Sequence, residues 1–132
     1  LAEEKGQLLL LELAADLPGV IGDRGLLFEA IGNLLDNAIR FAPEGGRVQL
    51  SARVEQGATC IVVEDSGPGI AEAERSLVFQ RFHRAEASKG GGFGLGLSIV
   101  AAIAGLHGFR LQVGQSTLGG ARFSLLCRPQ VL

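Results

Sequence analysis

The sequence has no dense run of lysine or arginine and no apolar run long enough to cross a membrane. Its formal net charge is −2 with acids and bases interspersed, which argues against the basic surface that nucleic-acid or acidic-membrane partners need. The longest uncharged stretch, Gly90 to His107, is interrupted by glycine, and the N-terminus lacks the features of a signal peptide. We therefore expect a domain that neither binds nucleic acid nor spans a bilayer.

Cysteine is scarce and methionine is absent. Cys60 and Cys127 lie far apart, outside any Cys-x-x-Cys or Cys/His grouping, so we expect neither a cysteine metal site nor a disulfide framework. Two reduced thiols buried in strands fit better, and they indicate a cytosolic compartment. The start at Leu1 without a methionine predicts that the chain is a piece of a longer protein.

Glycine and apolar residues are abundant by contrast, with 20 glycines and 47% apolar residues among 132. This length predicts one domain, residues 1–132, with a real hydrophobic core. A leucine-rich run at 7–15 predicts a buried strand. Asp23 is a candidate N-cap for a helix at 24–41 that ends before Pro43.

The rest of the chain predicts a hairpin, a loop, a second helix and two further strands. The turn Gln56-Gly57 joins the two strands of the predicted hairpin. The predicted segments are strands at 47–54 and 59–64, mixed helical character at 71–82, an aperiodic stretch at 83–92, a helix at 95–106, and strands at 109–113 and 121–127. This order predicts an α/β two-layer sandwich whose mixed, mostly antiparallel sheet is covered on one face by helices.

The first predicted helix carries a polar stripe. Asn33 and Asn37 lie four residues apart within an apolar helix and therefore share one face. Glu29 and Arg40 continue the stripe in either direction. Two carboxamides placed in this way predict a polar partner, and a metal-bound phosphate is the candidate. The alternative is an ordinary solvated helix face.

A glycine run from Gly90 to Gly96 leads directly into the second predicted helix. Unblocked amide N–H groups and the positive end of a helix dipole favour an anion there, so the run is a candidate phosphate cradle. It lacks the Lys-Ser/Thr pair of a P-loop and the preceding strand of a dinucleotide fold. The alternative is a flexible linker.

Asp65 ends an apolar strand and precedes Gly67 and Gly69. Its carboxylate is predicted to point into the interior, where the glycines leave room for a ligand. A buried acceptor needs a donor, and an exocyclic amine such as that of adenine supplies one. The alternative is an ordinary turn residue.

These features stand in a fixed order along the chain. The motifs are Asn33-x-x-x-Asn37, Asp65-x-Gly67-x-Gly69, Phe79-x-x-Phe82 and Gly92-x-Gly94-x-Gly96, with Gly22-Asp23 before them and Gly119-Gly120-Ala121-Arg122-Phe123 after them. In this order and spacing they resemble the N, G1, F and G2 boxes of the catalytic, ATP-binding domain of sensor histidine kinases. The resemblance covers nearly the entire chain and implies the Bergerat ATP-binding fold.

The resemblance also implies roles for individual residues. The adenine pocket would be formed by Asp65, Gly67, Gly69 and Ile70. Asn33 and Asn37 would contact Mg²⁺ and the phosphates. Arg40 would contact a phosphate, and Phe41 would pack beside the nucleotide. The resemblance further implies an ATP lid at about 71–94, anchored by Phe79. This lid and the start of the following helix would supply the remaining residues that contact the nucleotide, which are Phe82, Arg84, Gly92, Phe93, Gly94, Leu95, Gly96 and Leu97. Of all these, the residues implied in catalysis are Asn33, Asn37, Arg40 and Arg84.

One position separates the branches of this superfamily. Gyrase, Hsp90 and MutL carry a general-base Glu where Asn33 stands, and a carboxamide does not take a proton from water at neutral pH. The resemblance therefore implies phosphoryl transfer to another nucleophile rather than hydrolysis. Glu29 lies one turn earlier, and we expect it to face solvent or a partner. His83 and His107 are interpreted as surface or capping residues, which leaves the acceptor histidine outside this chain.

The function implied is that of a protein-histidine kinase in two-component signal transduction, using ATP and Mg²⁺. Its expected partners are a histidine-containing dimerisation domain of the same homodimeric protein and a cognate response regulator. The domain is expected in the cytoplasm, with its parent in the bacterial inner membrane. Two alternatives remain open at this point, an anti-sigma-type serine kinase and a nucleotide-sensing domain without catalysis.

Overall fold

A computed structural model describes residue 2 and the ranges 5–80 and 96–128. The elements are β1 (Leu8–Leu13), α1 (Arg24–Phe41), β2 (Arg47–Glu55), β3 (Ala58–Asp65), a short 3-10 helix (Glu72–Glu74), α2 (Gly96–His107), β4 (Arg110–Gln115) and β5 (Ala121–Leu126). In the part of the chain described, no helix has both the length and the hydropathy needed to cross a membrane.

The five strands form one sheet in the order β1-β2-β3-β5-β4. β1 runs parallel to β2, and the other neighbouring strands are antiparallel. α1 packs on β2, β3 and α2, and α2 also packs on β4. The core between helices and sheet includes Leu34, Val63, Val100 and Phe123. The predicted two-layer α/β sandwich with a mixed sheet is therefore confirmed.

The bounds of α1 follow from local signals. The Asp23 side chain accepts a hydrogen bond from the backbone N–H of Leu26 at 2.9 Å, so Asp23 is the N-cap, as predicted. Ala30, Leu34 and Ala38 recur every four residues and are fully buried, which fixes the face that α1 presents to the sheet. The helix ends at Phe41 because the residue before Pro43 avoids helical backbone angles.

The N-terminal segment holds the C-terminal end of α1. Lys5 Nζ donates to the carbonyl oxygens of Ile39, Arg40 and Ala42 at 2.9, 3.1 and 2.7 Å. The Gln7 amide donates to the same helix end, to Ile39 and Ala42 at 3.0 and 2.8 Å. A cation and an amide donor there satisfy carbonyls that the helix leaves unpaired and oppose its negative dipole end.

The prediction of a buried first strand is wrong. β1 is an edge strand, and its apolar side chains are largely exposed, Leu11 at 66% and Leu13 at 59%. The helices cover the centre and the opposite edge of the sheet, so little packs on β1. A run of leucines specifies an extended, apolar segment, but its burial depends on the position of the strand in the sheet.

The remaining predicted segments agree closely with the structure. Gln56 and Gly57 both have positive φ, at 52° and 76°, and form the two-residue turn of the β2–β3 hairpin. The predicted mixed helical segment is a 3-10 helix at Glu72–Glu74 followed by turns. The aperiodic stretch at 83–92 lies outside the described residues.

Candidate functional site

Asp65 lies at the C-terminal end of β3, between β2 and β5, and is only 2% exposed. Its Oδ1 accepts hydrogen bonds from the backbone N–H groups of Gly67 at 2.8 Å and Ala121 at 3.3 Å. Burial raises the pKa of this carboxyl, and the two backbone bonds oppose that rise. Among the described residues, Oδ2 has no hydrogen-bond partner. The carboxyl group therefore combines one fixed oxygen with one free acceptor.

Two glycines let three chain segments meet around this carboxyl group. A Cβ at Gly67 would lie 2.5 Å from the carbonyl oxygen of Phe41, at the end of α1. A Cβ at Gly120 would lie 2.5 Å from the Asp65 carbonyl oxygen and 2.6 Å from the Gly67 nitrogen, with the Asp65 carboxylate closer still. Because a side chain fits at neither position, both glycines are required by close approach of the backbone.

Gly69 and Ile70 complete the turn after β3. Gly69 adopts a positive φ of 76°, a conformation that favours glycine, and a Cβ there would lie 3.5 Å from the backbone of Gly120. Ile70 is half-buried against the core, and its carbonyl oxygen accepts a hydrogen bond from Arg75 Nε at 3.2 Å. The predicted adenine-pocket residues thus lie together at the ends of β3 and β5.

The polar stripe of α1 leads to this region from one side. Asn33 and Asn37 are half-buried, whereas Glu29 and Arg40 are exposed. Phe41, one turn after Asn37, brings its carbonyl oxygen against Gly67, so the carboxamides lie on the helix that borders the Asp65 site. The C-terminal end of α1 therefore lies beside the turn that follows Asp65.

The Asn33 side chain is incompletely paired. Its Nδ2 is buried and has no hydrogen-bond partner within the part of the chain that the structure describes. A buried polar atom left unpaired costs about 1–3 kcal/mol, so such an atom in a native fold calls for an explanation. Nδ2 is an N–H donor, so the ligand group that suits it is an acceptor oxygen such as that of a phosphate, not a metal ion.

Acidic and imidazole side chains do not assemble a metal site by themselves here. Across 5–80 and 96–128, no group of three or more His, Cys, Asp or Glu side chains is placed to hold a metal ion. A magnesium ion at the α1 stripe would rely on amide oxygens and on oxygens brought by a ligand, which are the hard ligands it prefers. The donor set of Asn33 and Asn37 is compatible with that arrangement.

Several predicted lid residues lie outside the described part of the chain. These are Phe82, Arg84, Gly92, Phe93, Gly94 and Leu95, together with His83. Within the described part, Phe79 packs edge-on against Phe123 with ring centroids 5.9 Å apart. Gly96 begins α2, and Leu97 packs against the main core cluster. The predicted first residue of this helix, at 95, lies outside the described residues.

His107 has the predicted capping role. Its Nε2 accepts a hydrogen bond from the backbone N–H of Asp23 at 3.0 Å, so the proton of the neutral ring lies on Nδ1, which donates to the Ile103 carbonyl at 2.8 Å. The ring links the end of α2 to the start of α1. With both nitrogens engaged in the fold, His107 is poorly placed to accept a phosphoryl group.

The two cysteines are also structural. Both are free and buried, as predicted; Cys60 lies in β3, whereas Cys127 follows β5 and is not part of the strand. Burial raises the pKa of Cys60 to about 12 and that of Cys127 to about 11. Since the thiolate is the reactive form, neither thiol is suited to act as a nucleophile.

The sequence missed part of the site. Ala121 contributes a backbone N–H to Asp65 from a strand 56 residues away, and Gly120 supplies the space for that contact. The available signal was the segment Gly119-Gly120-Ala121-Arg122-Phe123, which contributes to the family resemblance but carries no assigned role at the site. A backbone N–H group is present whatever the side chain, proline excepted, so the sequence alone does not show which one donates to Asp65.

Comparison with known proteins agrees with this geometry. The family described as histidine kinase-, DNA gyrase B- and HSP90-like ATPase matches residues 22–131. The chain is 41% identical over 118 residues to the alginate biosynthesis sensor protein KinB of Pseudomonas aeruginosa, covering 89% of the chain and 20% of KinB. It is 46% identical over 103 residues to the histidine-protein kinase/phosphatase MprB of Mycobacterium sp. strain KMS, covering 76% of the chain and 20% of MprB.

Solved structures give the same assignment. The mycobacterial sensor histidine kinase MprB superposes with a TM-score of 0.84 at 33% identity, covering 98% of this chain and 90% of that one. Full-length ShkA in complex with AMPPNP superposes with a TM-score of 0.79 at 31% identity, covering 99% of this chain and 28% of ShkA. The chain belongs to the histidine kinase-, DNA gyrase B- and HSP90-like ATPase family, as a catalytic, ATP-binding domain of the sensor histidine kinase type. It spans about a fifth of the length of the curated relatives it matches.

Proposed function

We propose that this domain binds Mg-ATP and presents the γ-phosphate to a histidine on a dimerisation domain of the same parent protein. A response regulator would then receive the phosphoryl group. The observation that carries the proposal is the buried Asp65, whose Oδ1 is fixed by backbone donors while Oδ2 has no partner in the described ranges 5–80 and 96–128. A free acceptor oxygen on an otherwise buried side chain suits a ligand that brings its own donor, such as the exocyclic amine of adenine.

The phosphates would extend from this pocket toward the polar stripe of α1. Asn33 and Asn37 would hold the metal-bound phosphates, and Arg40 would contact a phosphate with its guanidinium group. When bound, Mg²⁺ would neutralise phosphate charge and hold the phosphates in one geometry. The buried, unpaired Nδ2 of Asn33 supports a ligand at this face.

The reaction class follows from the side chain that stands at the general-base position of the α1 stripe. Asn33 stands at the position where the hydrolases carry a general base, and its amide takes no proton from water. Glu29 lies one turn away and is exposed. We therefore assign transfer rather than hydrolysis. The histidine nitrogen attacks the γ-phosphorus, the bond from phosphorus to the β,γ-bridging oxygen breaks as the N–P bond forms, and ADP leaves.

The predicted lid, about 71–94, would close over the triphosphate in this proposal. Phe82 would help to anchor it, Arg84 would contact the γ-phosphate, and the glycines at 92, 94 and 96 would approach the phosphates through their backbone N–H groups. Phe79 already anchors the start of this segment on Phe123. The extent of the lid, the homodimeric state and the membrane location of the parent protein stay predictions.

Phosphotransfer is tested with the parent protein and γ-labelled Mg-ATP. We expect label on the parent that is lost in acid and retained in alkali, as for a phosphorylated histidine. The chain 1–132 alone is expected to bind ATP and to stay unlabelled. Label on the isolated chain would contradict the proposal, and acid-stable, alkali-labile label would indicate a serine kinase instead.

The metal role of Asn37 is tested by calorimetric titration with ATP. Asn37→Ala is expected to lower ATP affinity about 10-fold in the presence of Mg²⁺, which corresponds to one lost ligand contact of about 1.4 kcal/mol. In EDTA its affinity should match that of the unchanged protein. Asp36→Ala, at the exposed neighbouring position, serves as the matched control. Equal losses with and without Mg²⁺ would argue against a metal role.

A further inference from the structure

The turn between β4 and β5 is held by a compact set of hydrogen bonds centred on Ser116. The Ser116 N–H donates to the Gly120 carbonyl at 2.8 Å, and the Gly119 N–H donates to the Ser116 carbonyl at 3.1 Å. The Ser116 hydroxyl accepts from the Leu118 N–H at 2.9 Å. Ser116 is 3% exposed although it lies in a turn. Its side chain therefore organises the turn from inside.

The same hydroxyl reaches the strand that carries Asp65. Ser116 Oγ donates to Glu64 Oε1 at 2.9 Å, and Arg122 Nε lies 3.8 Å from that oxygen. A hydroxyl–carboxylate bond is charge-assisted and stronger than a neutral one. Because Glu64 and Asp65 are consecutive residues of a strand, their side chains lie on opposite faces of the sheet. Ser116 thus attaches the turn to β3 from the face opposite the site.

The other end of the turn meets Asp65 directly. The Gly120 N–H donates to the Asp65 carbonyl at 3.0 Å, and the Ala121 N–H donates to Asp65 Oδ1 at 3.3 Å. The position of the turn consequently determines where the Ala121 donor lies. That donor, with the one from Gly67, decides which carboxylate oxygen is fixed and which is free.

We propose that Ser116 is a positioning residue for nucleotide recognition, and that its bond to Glu64 holds the turn 116–120 so that Asp65 Oδ2 points to the base. This inference rests on the proposed function of Asp65 as the acceptor for the adenine amine. Ser116 does not touch the nucleotide in this scheme. It acts through Gly120 and Ala121.

The chemistry requires both hydrogen-bonding capacities of a hydroxyl. It must donate to Glu64 and at the same time accept from the Leu118 N–H. Alanine does neither, so Ser116→Ala frees the turn and leaves the Glu64 carboxylate short of a donor. Thr117 is the neighbouring residue of the same turn and is exposed, so Thr117→Ala is the matched control.

The test compares two nucleotides that differ at the recognised group. ATP carries the exocyclic amine, and ITP carries an oxygen in its place. We expect Ser116→Ala to lose about 10-fold in affinity for ATP and less than about twofold for ITP, because only the amine depends on the direction of Oδ2. Thr117→Ala should retain both affinities. Ser116→Thr, which keeps the hydroxyl, should recover most of the preference for ATP.

The outcomes separate this inference from the proposed function. If the unchanged protein does not prefer ATP to ITP, the adenine pocket itself is refuted. If it does, and Ser116→Ala keeps the same preference or loses both nucleotides equally, only the positioning role is refuted. Should Ser116→Ala not fold, Glu64→Ala replaces it in the same comparison, since this variant removes the acceptor of the Ser116 hydroxyl. A preference for ATP unchanged in Glu64→Ala would then overturn the positioning role.

Discussion

Asp65→Asn is expected to weaken ATP binding by on the order of 100-fold, the loss expected when a donor faces another donor in a buried pocket. The backbone N–H groups of Gly67 and Ala121 need an acceptor, so the asparagine must turn its oxygen toward them. Its Nδ2 then takes the place of the free Oδ2 and meets the adenine amine. Isothermal titration calorimetry with ATP measures this loss directly.

The same variant should fold at least as well as the unchanged protein at neutral pH. Burial raises the Asp65 pKa above its ordinary value of 3.8, so the folded state binds the proton more tightly than the unfolded chain. The associated stability is fully present below the unfolded pKa and is lost as pH rises through the folded pKa. Asparagine carries no charge and avoids that loss, so its relative stability should increase with pH above about 4.

The control for this prediction is Asp36→Asn, which removes an exposed carboxylate from α1. It should leave ATP affinity unchanged. If Asp65→Asn bound ATP within about threefold of the unchanged protein, Asp65 could not be the adenine acceptor. A large loss of stability at neutral pH would instead show that the carboxylate is needed for folding.

The parts of the fold that could be predicted depend on local chemistry. Asp23 caps α1 within three residues, Pro43 ends it, and Gln56-Gly57 closes the hairpin through positive φ angles. Each of these signals acts over a few residues, so its effect does not depend on the order of the strands in the sheet. The burial of β1 is different, because it depends on which strand occupies the edge. The leucines of β1 carry no information on that choice.

The residues of the candidate site also fall into two groups, those that local sequence predicts and those that depend on how the strands pair. Asp65 could be found because a strand end, an acid and two glycines stand together in the sequence. Ser116 and Ala121 could not be found from the sequence. Ser116 contacts Glu64, and Ala121 contacts Asp65, only because β3 pairs with β5 in the folded sheet. The relatives that the chain matches carry the names of a sensor protein and a histidine-protein kinase/phosphatase, which is information that the single chain does not contain.

Gly120→Ala is expected to abolish measurable ATP binding and to lower the free energy of unfolding by about 1–3 kcal/mol, the usual cost of overpacking a tight interior. The new Cβ would lie 2.5 Å from the Asp65 carbonyl oxygen and 2.6 Å from the Gly67 nitrogen. Backbone atoms of a central strand and its turn cannot move aside as a flexible side chain does. β5 must shift instead, which breaks both bonds that its start makes with Asp65.

The measurement pairs urea unfolding with ATP titration, and Gly114→Ala is the control. Gly114 lies in β4, and a Cβ there meets no atom within 4 Å, so this variant should retain both stability and affinity. ATP affinity preserved in Gly120→Ala would place the nucleotide away from the junction of β3 and β5. If the variant does not fold, Gly67→Ala probes the junction from the other side, where the Cβ would meet Phe41 and the Asp65 carboxylate. Undiminished ATP affinity in Gly67→Ala would also contradict the proposed nucleotide site, because both glycines leave space around the Asp65 carboxyl group.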